Sequence, residues 1–137
     1  RNLALNPQLA AERAEWREAD VFEELRALRA AGERYDLIVL DPPKFAPSPA
    51  HAEKAARAYK DINLNAFKLL APGGLLMTYS CYGGIGIELF QKIVAGAALD
   101  AQVEARIVRR LTASADHPVL LDFPEGEYLK GLVCAVG

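Results

Sequence analysis

A short apolar run that stops at an acidic residue and two prolines constrains this fold most. Residues 37–40 are all branched aliphatic side chains, which is typical of a strand buried on both faces in a parallel sheet. Asp41 follows at the carboxyl end of that strand, at the edge where open α/β sheets bind ligands. Because Pro42 favours an extended backbone at Asp41, the sequence predicts an outward-facing carboxylate, with Lys44 and Phe45 beside it.

The composition indicates one folded domain. Of 137 residues, 52% are hydrophobic, and the formal net charge is −2. The first value is too high for disorder, and the second gives no strongly basic surface for nucleic acid. Cys81 and Cys134 lack a CxxC spacing and the two histidines are scattered, so we expect no metal site. No stretch reaches the roughly 18 apolar residues of a membrane span and the amino end has no signal-peptide pattern. We therefore expect no membrane partner and a location in the reducing cytoplasm.

Helical and strand patterns alternate along the chain, which indicates an α/β fold. Helical spacing predicts a segment within residues 1–15, interrupted at Asn6-Pro7, and helices at residues 21–31, 52–70 and 87–99. Apolar runs predict strands at residues 16–19, 37–40, 75–79, 103–111 and 128–136. The last two strands are joined without a helix, so we expect an antiparallel pair at the edge of an otherwise parallel sheet. Residues 1–137 form one domain in this interpretation.

Six short motifs follow one another along nearly the whole chain. They are Asp41-Pro42-Pro43-Lys44-Phe45, Tyr59-Lys60-Asp61-Ile62-Asn63, Pro72-Gly73-Gly74, Ser80-Cys81, and Ala115-Asp116-His117-Pro118 with residues 124–131. This ordered set resembles the back portion of a class I S-adenosylmethionine-dependent methyltransferase domain. More narrowly, it is similar to the bacterial enzymes that make 5-methylcytosine in large-subunit ribosomal RNA.

The resemblance implies a Rossmann-like methyltransferase sheet with helices on both faces and an antiparallel carboxyl-terminal strand pair. The family's first two strands, with the Gly-rich turn that cradles the methionine part of the cofactor, have no counterpart in this sequence. The resemblance therefore implies a partial catalytic domain, in which the absent strands would lie between those at residues 16–19 and 37–40. We expect either that these two strands pair directly, or that the exposed sheet edge pairs with a second copy as a homodimer.

Cys81 is the leading candidate for a nucleophile. Carbon 5 of cytosine attacks a methyl group only after a thiolate adds to carbon 6 and pushes electron density onto it. The resemblance assigns that role to Cys81, which ends the strand at residues 75–79. A free cysteine that merely packs in the core is the simpler alternative. The family usually continues Ser-Cys-Ser, whereas Tyr82 follows Cys81 here, so the surroundings of the thiol differ from the family pattern.

The resemblance also implies roles for the residues around Asp41. Asp41 would bind the polar edge of a flipped cytosine and, with Pro42, would border the cofactor. Pro43 and Phe45 would contact the base, and Lys44 would stabilise the thiolate or contact phosphate. The simpler alternatives are a loop cap for Asp41, a solvated side chain for Lys44 and hydrophobic packing for Phe45.

Asp20, near the amino end, and His117, in the closing loop, complete the candidate site. Asp20 stands where the superfamily holds the adenine amino group, with Val21 or Phe22 against the ring. The same carboxylate is placed to cap the helix at residues 21–31, and one side chain can do both. His117 is a candidate substrate contact from the closing loop, or else a structural loop residue.

Three functions remain open from the sequence. The first is an RNA cytosine-5 methyltransferase, with S-adenosyl-L-methionine as cofactor and ribosomal RNA as partner. The second is an amino-group methyltransferase, but its motif places an aromatic residue directly after Asp-Pro-Pro, where Lys44 stands here. The third is a non-catalytic remnant that binds the cofactor poorly, which the absence of a Gly-rich turn favours.

Overall fold

The computed structural model describes residues 1–45 and 47–137. In these residues the helices are α1 Val21–Ala30, α2 Ala52–Leu69 and α3 Ile87–Ala101, and the strands are β1 Tyr35–Leu40, β2 Leu70–Ser80, β3 Ala105–Leu111 and β4 Lys130–Val136. The helices predicted at residues 21–31, 52–70 and 87–99 and the last four predicted strands are therefore confirmed, with shifted ends.

The four strands form one mixed sheet in the order β1-β2-β4-β3. β1 and β2 are parallel, and β4 runs antiparallel to both β2 and β3. The α/β class and the antiparallel carboxyl-terminal pair are confirmed. β4 nevertheless lies inside the sheet and β3 at its edge, so the last strand of the chain contacts β2 directly.

The described helices cover only one face of the sheet. Leu76, Thr78 and Leu132 are fully buried on that face, because α2 crosses over between the parallel strands β1 and β2 and α3 packs beside α2. On the other face Leu37 and Val39 are 53% and 56% exposed. The expectation of helices on both faces, and of a strand at residues 37–40 buried on both faces, is wrong for the residues described.

The first twenty residues hold two short 3-10 turns, Leu3–Leu5 and Ala11–Arg13, where a longer interrupted helical segment was expected. The predicted strand at residues 16–19 is wrong, since this segment is exposed and has no strand pairing. A four-residue strand is stable only when its backbone groups pair with a neighbour. Among the described strands β1 pairs with β2 alone, so direct pairing of these two segments, the first of the two expected alternatives, is wrong too.

Local signals explain the ends and faces of the helices. The Asp20 carboxylate caps α1 by accepting hydrogen bonds from the backbone amides of Phe22 at 2.9 Å and Glu23 at 3.1 Å, as predicted. Gly32, with a φ of 75°, ends the same helix in the left-handed conformation that glycine adopts easily. The helical spacing that predicts α2 places an apolar stripe on one side of this helix, and four of its residues are fully buried: Ala55, Tyr59, Ile62 and Ala66.

Core packing around β2 predicts that replacing a leucine by alanine lowers the free energy of unfolding far more at one position than at another. Leu76 is fully buried in β2, whereas Leu99 on α3 is 77% exposed. We expect Leu76→Ala to lower the free energy of unfolding by about 3 kcal/mol, because it leaves a cavity in the core. Leu99→Ala is the matched control, with an expected change below about 0.5 kcal/mol. Urea denaturation followed by circular dichroism measures both, and equal losses would contradict this packing.

Candidate functional site

Three strand ends meet at one edge of the sheet. The register places Leu40 of β1 beside Thr78 of β2, so Asp41 and Cys81 follow the carboxyl ends of neighbouring parallel strands. β4 starts at the same edge, where Lys130 lies opposite Ser80. Asp41, Cys81 and Lys130 are therefore brought to a common edge from three parts of the chain.

Asp41 is exposed at this edge, as the sequence predicts. The following Pro42 is buried, while Pro43 and Lys44 are exposed. In the described part of the chain no hydrogen bond reaches the Asp41 carboxylate, so the structure gives no support to the alternative of a loop cap. The buried proline anchors the turn and leaves the acid and the lysine on the solvent side.

Cys81 is half-buried and has no disulfide partner. The turn that follows it is held by Tyr82, whose backbone amide donates to the Ser80 hydroxyl at 3.3 Å. The Tyr82 phenol also donates a hydrogen bond to the carbonyl of Ser48. The side chain of Tyr82 therefore ties the Cys81 turn to the loop after β1.

Cys134, the second cysteine, lies in the core of β4 with 2% of its surface exposed. Burial raises the pKa of its thiol to about 11, because a thiolate loses its hydration there. The structure therefore separates the two cysteines: one lies at the ligand edge and the other packs against apolar residues.

Lys130 contributes a buried ammonium to this edge, which the sequence analysis missed. Its Nζ donates hydrogen bonds to the carbonyls of Tyr82 at 2.8 Å and Ile85 at 2.6 Å. Burial lowers the pKa of Lys130, and the negative charge of Cys81 acts in the opposite direction. The sequence predicts a strand at residues 128–136 that contains Lys130, but it does not show which residue lies opposite Lys130 across the sheet.

Tyr59 is a second residue whose place at the site was missed, since helical spacing marked it only as core. Its ring packs against Phe45 and Phe90, with centroids 4.7 and 5.8 Å away. Burial raises the pKa of the Tyr59 phenol, the neighbouring Ser80 side chain opposes this, and the negative charges of Cys81, Tyr82 and Asp41 raise it further. The phenol oxygen is thus within electrostatic reach of both candidate site residues, and it has no hydrogen-bond partner among the described residues.

Phe45 is half-buried. Its ring centroid lies 5.5 Å from that of Phe22 and 4.7 Å from that of Tyr59. Part of the ring surface is therefore used for core packing, which was the simpler alternative. Stacking of the remaining surface on a base stays a prediction.

Asp20 and Val21 are exposed at the start of α1. Both capping hydrogen bonds of Asp20 use Oδ1, so within the described residues the second carboxylate oxygen has no hydrogen-bond partner. Capping and ligand binding are compatible here, and the adenine contact stays a prediction.

His117 lies in the exposed loop between β3 and β4. Its Nδ1 is 3.2 Å from a carboxylate oxygen of Asp116 and 3.4 Å from the hydroxyl of Ser114. These contacts stay within its own loop, as expected for a structural loop residue, and a substrate contact is not tested by them.

A cavity of about 680 Å³ lies beside the Cys81 turn, between the end of β3 and the start of β4. Arg110, Tyr128 and Lys130 contribute to its wall, together with Glu125 and Glu127.

The described residues contain no cluster of three or more metal-ligating side chains. In the same part of the chain, no helix combines the length and apolar character needed to cross a membrane.

Known proteins resemble this chain at the level of sequence. No protein-family model matches. A relative from Tolumonas auensis named Ribosomal RNA large subunit methyltransferase I is 56% identical over 132 residues, which are 96% of this chain and 33% of the relative. A relative of the same name from Pseudoalteromonas atlantica is 49% identical over 136 residues, 99% of this chain and 34% of the relative. The chain thus spans about a third of the length of the curated relatives it matches.

A solved structure resembles the fold. SMU.776, described as a methyltransferase and crystallised with SAH, superimposes with a TM-score of 0.71 at 20% identity. The match covers 86% of this chain and 30% of that one. At this identity the likeness concerns the fold alone, and it shows that the sheet and helices have the arrangement found in that protein.

The two cysteines predict a selective alkylation pattern. We expect iodoacetamide at about pH 8 to modify Cys81 and to spare Cys134, because the thiolate is the reactive form. Cys134 is buried and its thiol has a pKa of about 11. Peptide mapping by mass spectrometry measures the modified fraction of each residue, and denatured protein, in which both should react, is the control. Preferential labelling of Cys134 in the folded protein would contradict the site.

Proposed function

We propose that this chain is part of an S-adenosyl-L-methionine-dependent methyltransferase that methylates carbon 5 of a cytosine in ribosomal RNA. The observation that carries the proposal is the half-buried Cys81 at the end of β2, beside the strand end that presents an exposed Asp41. Two curated relatives named as large-subunit ribosomal RNA methyltransferases support the substrate class. Residues 1–137 would then belong to the catalytic domain, acting in the cytoplasm.

Cys81 would act as the nucleophile. Its sulfur would bond to carbon 6 of the cytosine, and the electron pair of the 5,6 double bond would move to carbon 5. Carbon 5 would take the methyl group that the sulfonium cofactor supplies, whose sulfur keeps the electron pair of the broken bond and leaves as a thioether. Transfer of the carbon 5 proton to water would then restore the double bond and release the Cys81 thiolate. This sequence needs a thiol that the base can reach. The half-buried position of Cys81 satisfies that need, whereas the position of Cys134 does not.

Asp41 would hold the target base. An exposed carboxylate without a hydrogen bond from the described residues is free to accept one from the exocyclic amine of cytosine. A base inside a duplex cannot reach a thiol on a sheet edge, so the substrate nucleotide must be single-stranded or flipped. Pro43, Lys44, Phe45 and His117 are the further residues that we assign to the RNA side.

The cofactor would supply the electrophilic methyl group. We assign its adenosine end to Asp20 and Val21, and its sulfonium side to Asp41 and Pro42. Asp20 suits an adenine amino group, because both capping hydrogen bonds use Oδ1 and leave Oδ2 available as an acceptor in the described structure. The neighbouring Val21 side chain is exposed and apolar, which suits the face of a purine.

Removal of the nucleophile tests the proposal directly. We expect Cys81→Ala in the intact protein to lower methyl transfer to ribosomal RNA by at least about 10³-fold, with cofactor affinity nearly unchanged. The thiolate acts on the base and has no need to touch the sulfonium. Radiolabelled methyl transfer and titration calorimetry measure the two effects. Cys134→Ala is the matched control and should stay active, while an active Cys81→Ala enzyme would refute the assignment.

Asp41→Asn separates binding of the base from structural capping. We expect turnover to fall by about 10²-fold, because an amide lacks the carboxylate charge that holds the base. The melting temperature should change by less than about 2 °C, since the side chain is exposed and unpaired in the described residues. Thermal melts and initial rates on the same preparation measure both effects. A loss of stability as severe as the loss of rate would favour the loop cap instead.

A further inference from the structure

Lys130 is the one charged residue among the buried side chains of the described structure, with 8% of its surface exposed. Burying an ammonium costs several kcal/mol unless other groups compensate for the lost water. None of the ion pairs between described residues includes Lys130. Its burial therefore needs a physical reason other than pairing with a carboxylate.

The contacts of Lys130 all lead to the Cys81 turn. Nζ donates to the carbonyls of Tyr82 and Ile85, and Lys130 pairs across the sheet with Ser80, the residue before Cys81. An ammonium has three donors, so two fix the turn and a third is left over. The positive charge is thus held at the start of the turn that carries the thiol.

The other titratable groups near Lys130 are placed differently. Glu125, Glu127, Tyr128 and Arg110 share the cavity wall with it, and all four are exposed. Arg110 donates to the side chain of Gln91. Water therefore screens these groups, whereas Cys81 is half-buried and its charge raises the pKa of Lys130.

Three other titratable groups lie around Cys81. They are Tyr59 on α2, Asp41 at the end of β1 and Tyr82 in the turn itself. Burial and the neighbouring negative charges raise the pKa of Tyr59, so its phenol stays neutral at neutral pH. Tyr82 donates its hydroxyl proton to the Ser48 carbonyl. Among the described residues, burial lowers the pKa of Lys130 and the charge of Cys81 raises it.

We propose that Lys130 is a positioning residue for Cys81: it fixes the turn that presents the thiol and stabilises the thiolate with a buried positive charge. Its part in methyl transfer rests on the proposed function. Cys81 loses its proton to solvent, Lys130 keeps its own, and the resulting thiolate is the species that adds to carbon 6 of the base.

The pH profile of Cys81 alkylation tests this assignment without any methyl transfer. In the intact protein we compare the wild type, Lys130→Met and the exposed-lysine control Lys92→Met, quantifying Cys81 with iodoacetamide and peptide mapping. For Lys130→Met we expect the pH of half-maximal rate to rise by about one unit and the rate at neutral pH to fall about tenfold. The plateau rate at high pH should be kept or should increase, because a more basic thiolate is the stronger nucleophile.

Two results would overturn the proposal. One is that the alkylation rate of Cys81 reaches its half-maximum at the same pH in Lys130→Met and in the wild type. The other is a profile reduced at all pH values without a shift, which indicates a merely structural role. Lys130→Arg retains the positive charge, so its pH of half-maximal rate should stay close to that of the wild type. Lys92→Met should also follow the wild type.

A second measurement keeps Lys130 in place, in case its replacement prevents folding. Because coupling between two sites is reciprocal, Cys81→Ala should make the Lys130 ammonium lose its proton at lower pH. Nitrogen-15 NMR of the Lys130 side chain, compared between wild type and Cys81→Ala, measures this shift. Identical titrations would overturn the proposal. Methyl transfer by Cys81→Ala tests the proposed function separately, so the two ideas can fail independently.

Discussion

The antiparallel pairing of β4 with β2 determines the geometry of the candidate site. Because the two strands run in opposite directions, the last residue of β2 meets the first residue of β4, and Ser80 pairs with Lys130. A lysine that is 48 residues from Tyr82 in the chain is thereby brought to the carbonyl of that residue. The ladder continues to Leu75 and Ala135, so a sheet, and not a loop, sets this contact. Groups held by strands are positioned more accurately than groups held by loops.

The same sheet has two unequal faces. The face beneath α2 and α3 contains the buried core, while Leu37 and Val39 are largely exposed on the opposite face. Clustered exposed apolar side chains are typical of surfaces that other protein segments cover. The apolar run at residues 37–40 has the composition of a strand covered on both sides, and the described residues cover one. The side chains of β1 are those of a strand buried on both faces, but the described residues bury only one face. This difference explains why the prediction of a strand buried on both faces is wrong.

Sequence reasoning succeeded where a structural signal is local. The cap at Asp20, the apolar stripe of α2 and the strand end at Asp41 each depend on residues within a few positions of one another. It failed for residues 16–19, because an isolated strand pattern says nothing about whether a neighbouring strand is present. Lys130 and Tyr59 were missed as site residues for a related reason. Their proximity to Cys81 depends on strand register and helix packing, which no short motif specifies.

The two lysines of the site illustrate why burial changes the effect of a charge. Lys44 was the sequence-based candidate for stabilising a thiolate, but it is exposed. In water, the attraction between its ammonium and a thiolate 4 Å away is worth only about 1 kcal/mol. Lys130 is shielded from solvent, so its field on a nearby thiolate is weakened less. A carboxylate partner would have made its burial easier but would also have cancelled its charge. Backbone carbonyls replace the lost water without adding a negative charge, so the ammonium keeps its net positive charge beside the turn that presents the Cys81 thiol.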